Sequence, residues 1–156
     1  MRKYIMLVAL SAFLLCGCAE ELRPTAWMLS TTDMSNQNEY IGRAGLGFEQ
    51  TEAGIISQWW DDVAPHQTFG LYVLQYLPPD PNALPFLKQT YIGGQTTLRL
   101  DGDGDMYGPF CGTIEKLMGV DWAVEYQFRR FDQALDARMK ESSDEHKVII
   151  GPRFKF

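Results

Sequence analysis

The side chains able to do chemistry in this sequence are few, and their spacing decides what each set can do. In DGDGDMYG, Asp101, Asp103 and Asp105 stand at alternate positions, a cluster of hard oxygens of the kind that attracts calcium. The helix–loop–helix calcium loop needs glycine where Met106 stands and glutamate where Gly112 stands. The pattern fails at both places, so the stretch reads as an acidic hairpin loop and no metal is expected. His66 and His146 are the only histidines; Asp61 and Asp62 precede the first, and Ser142, Ser143, Asp144 and Glu145 precede the second. A Ser/His/acid or Asp/His site is built by geometry and not by neighbours in sequence, and polar loop composition accounts for both stretches. There is no glycine-rich phosphate loop and no paired-cysteine metal site. No catalytic residue and no cofactor is therefore assigned.

The cysteines point to export. The opening MRKYIMLVALSAFLLCGCAEE carries Arg2 and Lys3, an apolar run from Tyr4 to Leu15, and then small residues. Its apolar core is too short to span a bilayer as a mature helix, and the three-part layout is that of a cleaved secretory signal. Leu15-Cys16-Gly17-Cys18 resembles the bacterial lipobox. That resemblance implies removal of residues 1–17 and lipidation of Cys18, with Ala19 at the next position implying passage to the outer membrane. Ordinary cleavage after Ala19 stays open as the alternative. Beyond the signal region Cys111 stands alone, so no disulfide braces the lipidated chain. Loss of residues 1–17, with two basic residues and no acid, lowers the formal charge from -6 to -8. An acidic exported chain is not built for nucleic acid.

These few groups must be positioned by strands. The rest of the chain divides into eight segments of alternating polarity: Thr25 to Thr31, Tyr40 to Gln50, Glu52 to Trp60, Thr68 to Leu77, Lys88 to Asp101, Met106 to Leu117, Val120 to Asp132 and His146 to Phe156. A period of two is that of a strand with unlike faces, and the lengths approach the 9–11 or so residues of a tilted strand crossing a bilayer. Residues 18–24 read as a short linker and 25–156 as one domain. TTDMSNQN, WDDVAPHQ, DGDGD and DQALDARMKESSDE are polar connections, mostly long, whereas EQTE and KLMGV are tight. Long and short therefore alternate, with LPPDPNALPF the exception, being long where a short turn is due.

The two faces differ in kind. In VDWAVEYQFRRFD, Trp122, Val124, Tyr126 and Phe128 oppose Asp121, Ala123, Glu125, Gln127 and Arg129; in YIGRAGLGFEQ, Gly42, Ala44, Leu46 and Phe48 oppose Arg43, Gly45, Gly47 and Glu49. FGLYVLQYL and GIISQWW are apolar on both faces. A soluble barrel turns the aromatic face inward, and a membrane barrel turns it outward. Three features favour outward. Aromatics gather at strand ends, at Trp59, Trp60, Tyr76, Tyr107, Trp122, Phe128, Phe131, Phe154 and Phe156, as interfacial girdles do. The charged face carries both signs, so that Arg43, Glu49, Arg99, Glu115, Glu125, Arg129 and Arg153 form the expected lumen charge network, where unpaired charge is costly. Glycines lie within strands, which suits the crowding of a small barrel.

The chain ends HKVIIGPRFKF, with Val148, Ile150, Phe154 and Phe156 on one face and Lys147, Ile149, Arg153 and Lys155 on the other. Alternation up to a terminal phenylalanine resembles the closing strand of bacterial outer-membrane proteins. The pattern as a whole is similar to the small eight-stranded outer-membrane barrels of the OmpA/OmpX kind. The resemblance implies an all-β, antiparallel, up-and-down transmembrane barrel in the bacterial outer membrane. It also implies outer-membrane lipid as surroundings, recognition of Phe156, Phe154, Ile150 and Val148 by the barrel-assembly machinery, and a monomer. The function expected is non-enzymatic, in envelope integrity or surface interaction through the external loops. A lipid-anchored periplasmic barrel similar to bacterial lipocalins is the alternative, although no Gly-x-Trp marks the first strand; an outer-membrane rim hydrolase is the second.

Overall fold

A computed structural model of the chain describes residues 22–32, 38–60, 67–79, 82, 84, 89–99, 105–131 and 144–156, with the side chains of Thr32, Trp60, Arg99, Asp105 and Phe131 outside that description. The strands are β1 (Arg23–Thr32), β2 (Asn38–Phe48), β3 (Thr51–Trp60), β4 (Gln67–Tyr76), β5 (Thr90–Arg99), β6 (Asp105–Leu117), β7 (Val120–Phe131) and β8 (Asp144–Lys155). They follow one another in chain order round a closed barrel, β8 meeting β1. Every neighbouring pair is antiparallel. Closure leaves no unpaired edge, which is why alternation persists to the last strand. β1 begins at Arg23, inside the stretch expected as a linker.

The up-and-down order sends connections alternately to opposite ends. Residues 33–37, 61–66, 100–104 and 132–143 join strands at one end; the turns 49–50 and 118–119, the segment 77–89 and both described chain ends share the other. The tight turns take up positive φ, at Glu49 (48°) in one and at Met118 (52°) and Gly119 (85°) in the other, the left-handed backbone by which two-residue hairpins match strand twist; of the three only Gly119 adopts it without steric cost. Beyond the ends of β4 and β5, Leu77 gives its N–H to the Thr90 carbonyl (2.9 Å) and the Gln89 carbonyl accepts from the Ile114 N–H (2.9 Å).

Two prolines interrupt the wall. The β6–β7 ladder skips Gly108 and Pro109, between Tyr107↔Arg130 and Phe110↔Gln127. The β8–β1 ladder skips Gly151 and Pro152, between Trp27↔Arg153 and Ser30↔Ile150. Proline has no N–H to give, so Pro109 cannot donate to Phe128 nor Pro152 to Met28, the residues that the register sets opposite. On their other sides both prolines sit in continuous ladders, Gly94↔Pro109 and Trp122↔Pro152. The hairpin of β7 and β8, itself paired without a break from Asp121↔Arg153 to Arg130↔Asp144, thus lies between the two interrupted seams.

Strand parity sorts the side chains. Trp27, Leu29, Ile41, Ile56, Tyr72, Leu74, Tyr91, Phe110, Ile114 and Ile149 fill the lumen together with buried Glu39, Arg43, Glu52, Gln58, Gln95, Glu125, Gln127, Arg129, Lys147 and Arg153. Met28, Ile55, Val73, Ile92, Leu98, Val124, Val148 and Ile150 point outward and are exposed. Aromatic side chains flank this aliphatic belt. Trp59 and Tyr107 lie towards the loop end, with Tyr40 stacked on Trp59 at 5.9 Å, and Trp122 and Phe154 lie towards the turn end. Tyr76 is not in either girdle: it packs against the lumen cluster, with its hydroxyl on Glu52.

Candidate functional site

The densest chemistry among the described residues is inside the barrel, in three tiers. Towards the turn end, Glu52 of β3 is the acceptor of the first. It takes hydrogen bonds from Trp27 Nε1 (2.6 Å), Tyr72 Oη (2.7 Å), Tyr76 Oη (2.7 Å) and Arg153 Nη2 (2.8 Å), and Arg153 also donates to the Tyr76 hydroxyl. In the middle tier, Arg43 of β2 grips Glu125 of β7 in a fork, Nη1 to Oε2 at 2.7 Å and Nη2 to Oε1 at 2.8 Å. Tyr91 donates to the same carboxylate at 2.9 Å, and Arg43 Nη2 to Gln95 at 3.0 Å. Towards the loop end, Glu39 accepts both oxygens' worth from Arg129 (2.6 and 2.7 Å) and Lys147 (2.9 Å), and Lys147 reaches Glu145 at 3.0 Å.

The tiers are joined. Arg129 Nε donates to Gln127 (2.6 Å), Gln127 donates to Glu125, and Gln95 donates to Gln127 (3.1 Å). The Trp27 ring lies between two guanidiniums, Arg153 at 4.8 Å and Arg43 at 5.9 Å from its centroid, and Arg43 also covers Phe110 at 4.4 Å, contacts in which a cation meets the negative face of a ring. Two glycines make room. A Cβ at Gly45 would run into the Tyr72 hydroxyl, and one at Gly112 into that of Tyr91, so both phenols reach their carboxylates past residues with no side chain.

Burial sets the energetics. Arg43, Glu125, Arg129 and Glu39 have fully buried side chains. A buried charge whose partner is removed costs several kcal/mol, yet here every carboxylate meets a cation and additional donors. Among the described residues, Arg43 Nε, Arg129 Nη2 and Arg153 Nε find no hydrogen-bond acceptor. Each tier also spans the same two hairpins, β2–β3 and β7–β8. The ion pairs therefore tie across the lumen the hairpin whose flanking seams the prolines interrupt. Such an arrangement braces the wall and fills the interior; it presents no nucleophile to solvent.

Of the charged residues expected in the lumen, Arg43, Glu125, Arg129 and Arg153 meet there. Glu49 does not: it occupies the β2–β3 turn, exposed. Glu115 does not either, because buried Ile114 takes the inward position beside it and Glu115 pairs with outward Trp122. The Arg99 side chain lies outside the described residues. Sequence reasoning missed Glu39, Glu52 and Lys147 as network members. Glu39 shares the parity of Arg43, and Lys147 that of Arg153, so the signal was present for those two; Glu52 opens a segment apolar on both faces and carried none.

Cys18, His66, Asp61, Asp62, Ser142, Ser143, Asp101 and Asp103 lie outside the described residues, as does the Asp105 side chain. His146 is exposed, with Nδ1 against the Tyr126 hydroxyl and its ring 5.1 Å from that of Phe128. Val148, Ile150 and Phe154 point outward at 61%, 49% and 39% exposure. Phe156 follows β8 and gives its N–H to the Pro24 carbonyl at 3.0 Å, tying the last residue to the first strand.

A closed antiparallel barrel with ion pairs inside and a hydrocarbon belt outside is the architecture of the transmembrane β-barrel class. No protein-family model and no curated protein matches the chain. Among solved structures it is similar to a chain from the de novo design of transmembrane β-barrels, with a TM-score of 0.58 and 14% identity over 88% of this chain and 98% of that one. The likeness is one of fold: all-β, eight strands, antiparallel and closed.

Proposed function

We propose that the chain is a bacterial outer-membrane β-barrel that crosses the bilayer with all eight strands. It acts without catalysing a reaction, in envelope integrity or surface interaction, through the loops at the end where 33–37, 61–66, 100–104 and 132–143 emerge. One observation carries this reading: the polarity is inverted, with Glu39, Arg43, Glu125 and Arg129 buried while Met28, Ile55, Val73, Ile92, Val148 and Ile150 stand exposed round the wall. In water that belt is a large apolar surface that nothing among the described residues covers; in a bilayer it meets a solvent of its own kind, and the closed ladder meets the demand that backbone groups be paired there. A lumen packed with ion pairs and aromatic rings leaves the lipocalin-like reading without an apolar chamber, and that reading is not favoured. The signal peptide, lipidation of Cys18 and the use of Phe156, Phe154, Ile150 and Val148 by the assembly machinery belong to the same proposal.

The test is fractionation of the expressed protein followed by electrophoresis with and without boiling. Retention in outer membranes after carbonate and salt washing, with a mobility shift on heating, is the expected result. Release of a Cys18→Ser form as a soluble folded protein would overturn the membrane-spanning reading.

A further inference from the structure

The loop-end tier of the lumen extends further round the barrel than its ion pairs. Gln58 of β3 lies opposite Thr68 of β4, whose hydroxyl donates to the Gln58 Oε1 at 3.1 Å. Thr97 and Arg129 are the next inward positions towards the loop end from Gln95 and Gln127, and these two glutamines are hydrogen-bonded at 3.1 Å. Arg129 holds Glu39, which lies one inward position loopward of Ile41, the residue in register with Gln58. Gln58, Thr97 and Arg129 therefore share one layer of a narrow lumen, and each is wholly buried. Between the last two stands Gly108, on the inward parity of β6 and in register with Gln95, so β6 sends no side chain into the layer there.

Donors and charge are both in surplus in this layer. Gln58 Nε2, Thr97 Oγ1 and Arg129 Nη2 find no hydrogen-bond partner among the described residues. Arg129 has Nε on Gln127 and Nη1 on Glu39, which leaves Nη2 as the unengaged edge of its guanidinium. The middle and turn-end tiers each set one buried guanidinium against one buried carboxylate. The loop-end tier instead sets two cations, Arg129 and Lys147 at 0% and 7% side-chain exposure, against the single fully buried carboxylate of Glu39. Glu145, the other acid within reach, is 22% exposed. Buried charge without a buried counter-charge is costly.

We propose that this layer binds one small monatomic anion, a halide such as chloride, held by Arg129 Nη2, Gln58 Nε2 and Thr97 Oγ1. Three unengaged donors suit a group that accepts hydrogen bonds and gives none in return, whereas a buried water must also donate. The surplus cation selects negative charge. A lumen otherwise filled by side chains selects a small ion over a polyatomic one. The inference concerns the interior alone and stands whichever solvent meets the outer wall.

The experiment measures urea unfolding of the mature-length protein in detergent micelles, with sodium chloride exchanged for sodium gluconate at constant ionic strength. Once chloride exceeds its dissociation constant, each further tenfold rise should increase the folded-to-unfolded ratio about tenfold. Gln58→Leu, which takes an unengaged donor out of the layer, should flatten that slope and be at least as stable as the parent in gluconate, since an unpaired buried donor is then gone. Thr97→Val serves in the same way if Gln58→Leu does not fold, and Thr97→Ser, which keeps the hydroxyl, should keep the slope. Crystals grown in bromide should show an anomalous peak within hydrogen-bond reach of Arg129 Nη2, Gln58 Nε2 and Thr97 Oγ1. Stability that is the same in chloride and gluconate overturns the proposal. A chloride dependence that persists in both Gln58→Leu and Thr97→Val is a general salt effect and overturns it too, as does an ordered water at that place in the bromide crystals.

Discussion

Glu52 shows what a single lumen residue does. Its carboxylate takes hydrogen bonds from a tryptophan, two tyrosines and an arginine, so an amide in its place removes the counter-ion of buried Arg153 and turns one of two acceptor oxygens into a donor facing donors. Glu52→Gln should therefore cost about 3–5 kcal/mol, read as a lower urea midpoint for the loss of the folded, heat-shifted band. Glu52→Leu with Arg153→Met should cost less than the sum of the single changes, because neither charge is then left alone. Glu115→Gln is the matching control. Its side chain faces outward beside Trp122, and the change should move the same midpoint by less than about 0.5 kcal/mol. The two glutamates illustrate how far residue chemistry reads from sequence: both lie in strands and both are acids, and only the parity set by neighbouring Ile114 separates Glu115 from the lumen.

At the scale of elements, the β7–β8 hairpin carries an unusual division of labour. Prolines at 109 and 152 remove a ladder donor from each of its two outer seams, and the ion pairs fasten it across the lumen to β2–β3. Pro152→Val restores an N–H opposite Met28 and should raise stability by about 0.5–1.5 kcal/mol, with slower amide exchange in β8 and β1. Double-mutant cycles between the Arg43–Glu125 and Glu52–Arg153 pairs should show coupling above about 0.5 kcal/mol, since each pair holds the same two hairpins at their working distance. Additive effects would mean that the tiers brace independent parts of the wall. None of this was visible in the segments themselves. The strand boundaries could be read to within about two residues from alternation and turn chemistry, but which hairpins face each other across a lumen depends on closure.

For the whole molecule, the proposed membrane reading makes a claim about each face. Ile150, outward and exposed in the middle of β8, should tolerate other apolar residues, whereas Ile150→Arg should cost about 2–4 kcal/mol in a bilayer, measured by the shift in folding yield into vesicles. The lumen, filled by Trp27, Tyr72, Tyr91, Phe110 and the ion pairs, should conduct no steady current in a planar bilayer; a constant open conductance would mean that the interior rearranges in lipid. The sequence by itself determined the all-β class, the eight strands, their boundaries and the unlike faces, because a period of two and the residues that end strands are local properties. It also marked Arg43, Glu125, Arg129 and Arg153 as one-faced charges. Only the tertiary structure decided that these pair in three tiers, that Glu39, Glu52 and Lys147 complete them, that Tyr76 turns inward and that Glu49 and Glu115 stay out. The reason is that partners up to 108 residues apart, such as Lys147 and Glu39, are brought within hydrogen-bond reach by the curvature and stagger of a closed sheet, and no local pattern encodes either.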